Sequence, residues 1–574
     1  MGSAISLKGF TVTYPQAVTP ALDHLDLEIS KGERVGIIGK SGSGKSTMLK
    51  SLNGIVPQIV PADVKGEIMV DGVNTANMLP NELASKVGLV FEDPETQIVA
   101  PTVSEDITFG PINLGLPRDE VLKRLDYGLD VSRLREAAKR SPTMLSGGQK
   151  QSLVIGGILA MYPTVLALDE PLTGLDPTGK ERVVKILKEY AERNPDATVV
   201  ISEGGTNIDY LTGLVDRLVA IHDGKLVHDG TVDEVLSNRK LFDDGLVSPP
   251  QLVEISNCLG LPRIPRTVDE ALPFVKSLAL KNRKAVKSNV PAVALESKRP
   301  IIQVSDLHHV YPPNVNALDG VSMNIYEGEF VALIGQNGSG KTTLAYHLAG
   351  LLKPTKGFNS KILIDGKSIE EMPVAELRKY VGYVFQNPRD QFFAETVQEE
   401  IAYSLVMRGS PQEVALEEAR KFAQAYHFDN LLPLSVPLLS RAEASVVALF
   451  AIAITKPRVL IVDEPAGGAD EFESRRLYTD LRNLKESGMT IVVITHDMKR
   501  TLEFAERVVV MNNGKVLLEG DPFSVFREKE TLSQAWIKPP VLSELEAKLR
   551  SETGITVNAR TATELRTMLV GDAT

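Results

Sequence analysis

The nine residues GKSGSGKST, Gly39–Thr47, come back slightly altered as GQNGSGKTT, Gly335–Thr343. Both fit G-x-x-x-x-G-K-[ST], and a short apolar run precedes each one, Val35–Ile38 and Val331–Ile334. A strand, a glycine-rich turn and a helix start in that order let successive backbone N–H groups converge on phosphate. The lysine then neutralises phosphate charge, and the Ser or Thr hydroxyl is placed to hold Mg2+. Two such loops predict a chain that binds ATP or GTP twice. The residues expected to cradle phosphate are Gly39, Ser41, Gly42, Ser43, Gly44, Lys45, Ser46 and Thr47, then Gly335, Asn337, Gly338, Ser339, Gly340, Lys341, Thr342 and Thr343.

The duplication extends far beyond the loops. The lysines, the Asp-Gly turns at Gly72 and Gly366, the glutamines Gln97 and Gln391, and the LALDEP and LIVDEP strings repeat at offsets of 294–296 residues. The tails repeat too. SPPQLVEI from Ser248 recurs as KPPVLSEL from Lys538, and each precedes a Thr-x-x-Glu pair, Thr267/Glu270 and Thr561/Glu564, that fits a helix capping box. Apolar runs such as Val165–Leu168 and Val459–Val462 read as buried parallel strands. Lys180–Arg193 and Arg475–Glu486 have amphipathic helical spacing. The fold class is therefore α/β, with a largely parallel sheet in each of two tandem P-loop NTPase units. Residues 1–245 and 301–530 are the expected nucleotide-binding domains, 246–280 and 531–574 their C-terminal appendages, and 281–300 the linker. Basic and small residues with proline make that join a solvated linker or, as a rival reading, a nucleic-acid-binding arm.

Composition narrows the class. A formal net charge of −11 argues against general nucleic-acid binding. The lone Cys258 rules out a disulfide framework, a zinc cluster or an iron–sulfur cluster, and it reads as a part-buried thiol in a reducing compartment. The longest apolar stretch, Val446–Ile454, is too short to span a bilayer, and the start of the chain carries no secretion signal. The expectation is a cytosolic protein without membrane spans.

Leu145–Gln149 reads LSGGQ and opens a helical apolar run. At a helix start, Ser146, Gly147, Gly148 and Gln149 offer a hydroxyl, backbone N–H groups and the positive helix end to a phosphate. Asp169 and Glu170 follow at a strand end, where the first carboxylate can help hold Mg2+ and the second can polarise water. Asp176 closes a Gly-Leu-Asp turn. This order of loop lysine, LSGGQ, Asp-Glu-Pro and Gly-Leu-Asp resembles the nucleotide-binding domains of ABC (ATP-binding cassette) ATPases over nearly the whole chain. The resemblance implies RecA-like cores with helical signature subdomains, paired head to tail, so that each ATP lies between one domain's phosphate loop and the other's LSGGQ. It also implies that Tyr14 and Tyr311 stack on adenine. Within the family, VFQNPRDQFFAETVQEEIAYS (Val384–Ser404) and the PPQ-type tails look like the ATPases of energy-coupling factor (ECF) importers of vitamins and transition-metal ions. In those the ATPases usually act as separate dimerising subunits; here the fusion would replace the dimer. The implied partners are a transmembrane scaffold subunit and a small substrate-capture membrane protein, with the chain peripheral on the cytoplasmic side of the membrane. Glu92, Asp93 and Glu95, with Asp390, Glu399 and Glu400, would suit docking of basic coupling helices or form a solvated acidic face.

The two copies differ. The second has Gln386 and His496 where the family places its Q-loop glutamine and γ-phosphate histidine; the first has Glu92 and, aligning Thr198 with Thr490, Gly204. Conversely the first keeps LSGGQ, whereas the second reads LSRAE, Leu439–Glu443. Head-to-tail pairing then predicts one complete site, with Lys341, Gln386, Glu464 and His496 catalytic and Thr342, Gln386 and Asp463 around Mg2+. The other, degenerate site combines Lys45, Ser46, Asp169 and Glu170 with Ser440, Arg441, Ala442 and Glu443. The expected activity is ATP hydrolysis coupled to transport. A fused sugar-importer ATPase and a membrane-free, ribosome-associated ABC ATPase are the rival readings.

Overall fold

A computed structural model describes the chain except residues 1, 16, 205–206, 283–298, 313, 468 and 572–574. The join at 281–300 thus falls almost wholly outside the described residues. Two compact units emerge, Met1–Arg266 and Thr267–Thr574.

In the first unit a six-stranded sheet runs in the order Lys225–Thr231, Arg217–His222, Arg34–Ile38, Thr198–Glu203, Val165–Asp169, Val87–Val90. All its pairings are parallel except that of the Lys225 edge strand. Every residue of Val165–Asp169 is buried, as a strand covered by helices on both faces requires. A separate antiparallel sheet holds Ser3–Thr13, Leu22–Ser30, Asp63–Val70 and Val73–Asn74. Sequence periodicity had not separated it from the parallel core. It packs over the helix Lys45–Leu52, whose Met48, Leu49 and Leu52 are fully buried. Burial of each such side chain contributes about 1.5–3 kcal/mol.

The second unit repeats the plan. Its six-stranded sheet follows the same order, with Phe330–Ile334 between Thr490–Ile494 and Arg507–Asn512 and with Val459–Asp463 next but one to it. Its antiparallel sheet contains Pro300–Tyr311, Val315–Tyr326, Lys361–Ile364 and Lys367–Ser368.

The helices behind the sheets start where the sequence places caps. Pro177–Arg193 begins with Asp176, whose Oδ1 accepts from Gly179 N–H at 2.7 Å, and it buries Val183, Ile186, Leu187 and Tyr190 at helical spacing. At Thr267 and Thr561 only half of the expected capping box forms as drawn. Each Oγ1 accepts from the backbone N–H of Glu270 or Glu564, at 3.2 and 3.1 Å, while the Glu564 carboxylate turns to Arg560 N–H. The helix Val268–Lys281, which follows the first cassette in sequence, belongs to the second unit. There it packs on Val541–Thr553, with Lys276 Nζ 2.8 Å from Glu552 and Lys548 Nζ 2.6 Å from Asp269.

Candidate functional site

Both phosphate loops leave the C-terminal end of a central strand and turn into a helix through a glycine in left-handed geometry, Gly44 at φ 104° and Gly340 at φ 99°. A Cβ there would sit 2.4 Å from Ala21 O or 2.5 Å from Ala317 O, so only glycine fits. Each loop lysine is buried and braces its own loop. Lys45 Nζ donates to Gly39 O and Lys40 O, both at 2.9 Å, and Lys341 Nζ to Gly335 O at 2.8 Å and Gln336 O at 2.9 Å. The ammonium thus lies within the curve of its own loop, held on two backbone carbonyls.

The next residue is poised for a cation. Ser46 Oγ donates to Asp169 Oδ1 and Thr342 Oγ1 to Asp463 Oδ2, both at 2.9 Å. A hydroxyl beside one carboxylate is the hard-oxygen donor set that Mg2+ takes together with nucleotide phosphates. Among the described residues there is no cluster of three His, Cys, Asp or Glu that would hold a metal without nucleotide. Burial raises the pKa of both aspartates, and each is held by one further donor that the sequence reading missed: Ser202 Oγ for Asp169 at 2.8 Å and Tyr383 OH for Asp463 at 2.9 Å. The other expected cation ligand, Gln386, is exposed on the loop leaving Val381–Val384.

Glu170 and Glu464 share a strained backbone, φ 43° and 47°, in the left-handed region that a long side chain avoids. Each is tethered by a backbone N–H to the neighbouring strand, at Ser202 O and Ile494 O. Their carboxylates, however, point to different partners. Glu170 Oε1 lies 3.2 Å from Lys45 Nζ. Glu464 Oε1 lies 3.2 Å from His496 Nε2, and Glu464 Oε2 accepts from His496 N–H at 3.4 Å. Burial pushes the Glu464 carboxyl up, against the pull of Lys341. In the first cassette a Cβ on Gly204 would stand 3.3 Å from Glu170 Oε1 and 3.8 Å from Lys45 Nζ. A histidine there would therefore begin beside the same two groups, and its place is left without a side chain.

Tyr14 OH lies 3.1 Å from Thr47 Oγ1 and Tyr311 OH 3.5 Å from Thr343 Oγ1, which fixes each tyrosine at the edge of its phosphate-loop helix. Ser146 caps the helix Gly147–Leu159, its Oγ accepting from Gln149 N–H while Gln149 Oε1 accepts from Ser146 N–H at 3.0 Å. Gly148 packs against the next helix so closely that a Cβ would be 2.6 Å from Gly179 Cα.

The degenerate counterpart keeps the cap and loses the crossing. Ser440 and Glu443 form the same reciprocal pair, with Glu443 Oε2 accepting from Ser440 N–H at 2.8 Å. The Glu443 carboxylate is thus turned onto its own helix start. It satisfies the donors and sets a negative charge where LSGGQ presents a neutral amide. Arg441 lies over its own Asp-Glu-Pro turn, where a Cβ on Gly467 would meet Nη2 at 3.4 Å. Ala442 and Glu473 replace the two glycines of the close crossing. Ala469, in the place of Leu175, helps to line a pocket of about 140 Å3 with Ala442, Phe428 and Leu477.

Two further devices were not legible as motifs. Gln97 and Gln391, noticed only as repeat landmarks, hold the loops carrying Glu92 and Gln386 by accepting from Phe91 N–H at 2.6 Å and Phe385 N–H at 3.1 Å. Buried Arg500, on the helix after His496, donates to Glu471 O at 3.1 Å and pairs with the Glu471 carboxylate, tying that helix to the one capped by Asp470. In the first cassette Lys180, Asn207 and buried Glu203 make a comparable link, ending at Leu172 N–H. The acidic clusters are largely used internally. Asp93 accepts from Glu95 N–H, Glu95 pairs with Lys150, Glu399 caps its helix, and buried Glu400 accepts from Phe393 and Ala394 N–H, both at 2.8 Å.

Comparison with known proteins agrees with this geometry. The family model described as ABC transporter matches residues 22–173 and again 318–467. Proteins named as ABC transporter ATP-binding proteins are similar along almost their whole length. That of Caldanaerobacter subterraneus subsp. tengcongensis is 37% identical over 554 residues, covering 95% of this chain and 96% of its own. One from Methanosarcina acetivorans is 35% identical over 564 residues, covering 95% and 90%. Among solved structures, cbiO1 of Clostridium perfringens, described as part of the ABC transporter complex cbiONQ, is 31% identical. It covers 43% of this chain and 98% of its own, with a TM-score of 0.38. With both phosphate loops, both Asp-Glu pairs and the LSGGQ helix in place, the chain belongs to the ABC transporter ATP-binding family, as an ATPase with two cassettes in one polypeptide.

Proposed function

We propose that the chain powers an importer of the energy-coupling factor type and that its second cassette provides the hydrolysing phosphate loop. Matched exposed apolar patches carry the transport reading. Val99, Phe109 and Ile112 in the first cassette correspond to Phe393, Tyr403 and Val406 in the second, and all six are exposed. Phe393 and Tyr403 stack at 5.5 Å, and Phe393 is 73% exposed. In both cassettes a carboxylate folds the segment so that these side chains face out: Asp106 accepts from Val99 and Ala100 N–H, and Glu400 from Phe393 and Ala394 N–H. Duplicated apolar surface of this kind marks an interaction site. Its occupant in this reading is the cytoplasmic face of a transmembrane scaffold subunit, with cargo delivered by a separate small membrane protein. Among the described residues no helix is long and apolar enough to cross a membrane, so translocation falls to partners.

In the family's head-to-tail arrangement, Ser146–Gln149 and Asp176 would complete the site around Lys341, and Ser440–Glu443 the one around Lys45. Water attacks the γ-phosphorus, the bond to the β-bridging oxygen breaks, and ADP leaves with phosphate. Glu464 orients the water and takes its proton, a role suited to a carboxyl whose proton affinity burial has raised. Lys341 and His496 stabilise charge on the transferred group. Mg2+, held through Thr342 and Asp463 with Gln386 as a further ligand, would neutralise phosphate oxygens. In the first cassette Ser46 and Asp169 would hold it.

The test is purification from membranes. The chain should co-purify with small membrane proteins, and Phe109→Glu with Phe393→Glu should abolish this while ATP binding persists. Salt-sensitive sedimentation with ribosomes instead would overturn the transport reading.

A further inference from the structure

We propose that Asn337 is a positioning residue for His496, fixing the imidazole proton on Nε2 before nucleotide arrives. His496 Nε2 stands 2.8 Å from Asn337 Oδ1 and 3.2 Å from Glu464 Oε1. A ring nitrogen hydrogen-bonded to the Asn337 amide oxygen carries the proton, so the neutral imidazole is the Nε2–H tautomer. Asn337 belongs to the phosphate loop itself, immediately before Gly338, whose φ of 78° turns the chain. The loop that receives phosphate therefore also aims the histidine's donor. An incoming γ-phosphate oxygen meets an N–H already in place, which spares the cost of reorienting or re-protonating the ring.

The two cassettes supply an internal control. Ser41 stands where the second cassette has Asn337, and Gly204 where it has His496. The amide and the imidazole are absent together from the first cassette, although the glycines, lysine and hydroxyl of its loop persist. A side chain needed only for phosphate would have no reason to disappear with the histidine.

The inference rests on the second cassette being the hydrolysing one, which Glu464→Gln tests separately; the tautomer measurement below needs no turnover. With 15N-labelled histidine, the Nε2–H signature of His496 is assigned by its loss in His496→Gln. In nucleotide-free Asn337→Ala that signature should move toward a mixture of both tautomers. Turnover should fall roughly 10-fold, less than the 10²–10³ lost with a donor itself, while KM for ATP stays within about two-fold. Asn337→Ala added to His496→Gln should cost nothing more, because the partner is already gone. Asn337→Ser, the first cassette's own residue, is the substitute should the alanine variant fold poorly. An unchanged tautomer, a raised KM with unchanged kcat, or additive losses in the double variant would each overturn the assignment.

Discussion

Glu464 Oε1 stands 3.2 Å from His496 Nε2, and the same carboxylate's Oε2 accepts the His496 backbone N–H. Its homologue Glu170 has the same backbone strain but reaches Lys45 instead. The asymmetry thus lies in what each glutamate faces, since both are placed alike. Glu170 shares its loop lysine's ammonium directly, whereas Glu464 feels Lys341 as well but is held against His496.

This difference predicts how the first loop behaves. Lys45, Ser46 and Asp169 retain the phosphate and cation contacts, so nucleotide should bind there and be hydrolysed slowly. Single-turnover experiments with trapped nucleotide should resolve one fast and one very slow fraction. Arg441→Gly with Ala442→Gly should accelerate the slow fraction only partly. Glu473 would still stand where the first cassette has Gly179, and Glu443 would still charge the helix start. Two equally fast fractions in the unmodified protein would refute this.

Asp463 offers a second test. Its Oδ2 accepts from both Thr342 and Tyr383, and Tyr383 is 4% exposed. Tyr383→Phe should destabilise the second unit by about 1.5–3 kcal/mol, the usual contribution of a hydrogen bond to a charged group. ATP hydrolysis should remain, because Thr342 and Asp463 are untouched. Denaturant unfolding alongside ATPase assays decides it; unchanged stability would mean that the tyrosine contributes nothing.

Asp480 predicts a pH effect. It occupies the helical position that Ile186 fills in the first cassette, its Oδ2 is buried without a hydrogen-bond partner, and burial raises its pKa to about 6 against the pull of Arg476 and His427. A carboxyl raised from 3.8 gives its full stability contribution below pH 3.8 and loses it as pH rises through about 6. Two units correspond to at most about 3 kcal/mol. Asp480→Asn should therefore raise the melting temperature at pH 8 and change it little at pH 4. A fall at both pH values would contradict this.

The sequence made the chemistry more legible than the packing. Phosphate loops, LSGGQ and Asp-Glu-Pro are contiguous strings whose spacing is fixed by a phosphate group, so they can be read without a fold. The parallel strands were equally plain, because burial on both faces leaves runs such as VLALD with no polar residue before the functional aspartate. Tyr383, Ser202 and Arg500 were invisible because each acts on a residue 29 to 80 positions away and has no local signature. Glu443 caps Ser440, a reciprocal pairing that the string LSRAE does not announce. Glu399 and Glu400, taken as surface charge, turn out to cap a helix and to shape the apolar patch.

The most direct measurement compares steady-state ATPase activity of Glu464→Gln and Glu170→Gln, each with ATP binding measured in parallel. Glu464→Gln should lose most turnover, on the order of 10²-fold or more, with binding intact, because Lys341, Thr342 and Asp463 remain. Glu170→Gln should keep most of it. Equal losses from the two substitutions, or a larger loss from Glu170→Gln, would contradict the assignment of hydrolysis to the second cassette.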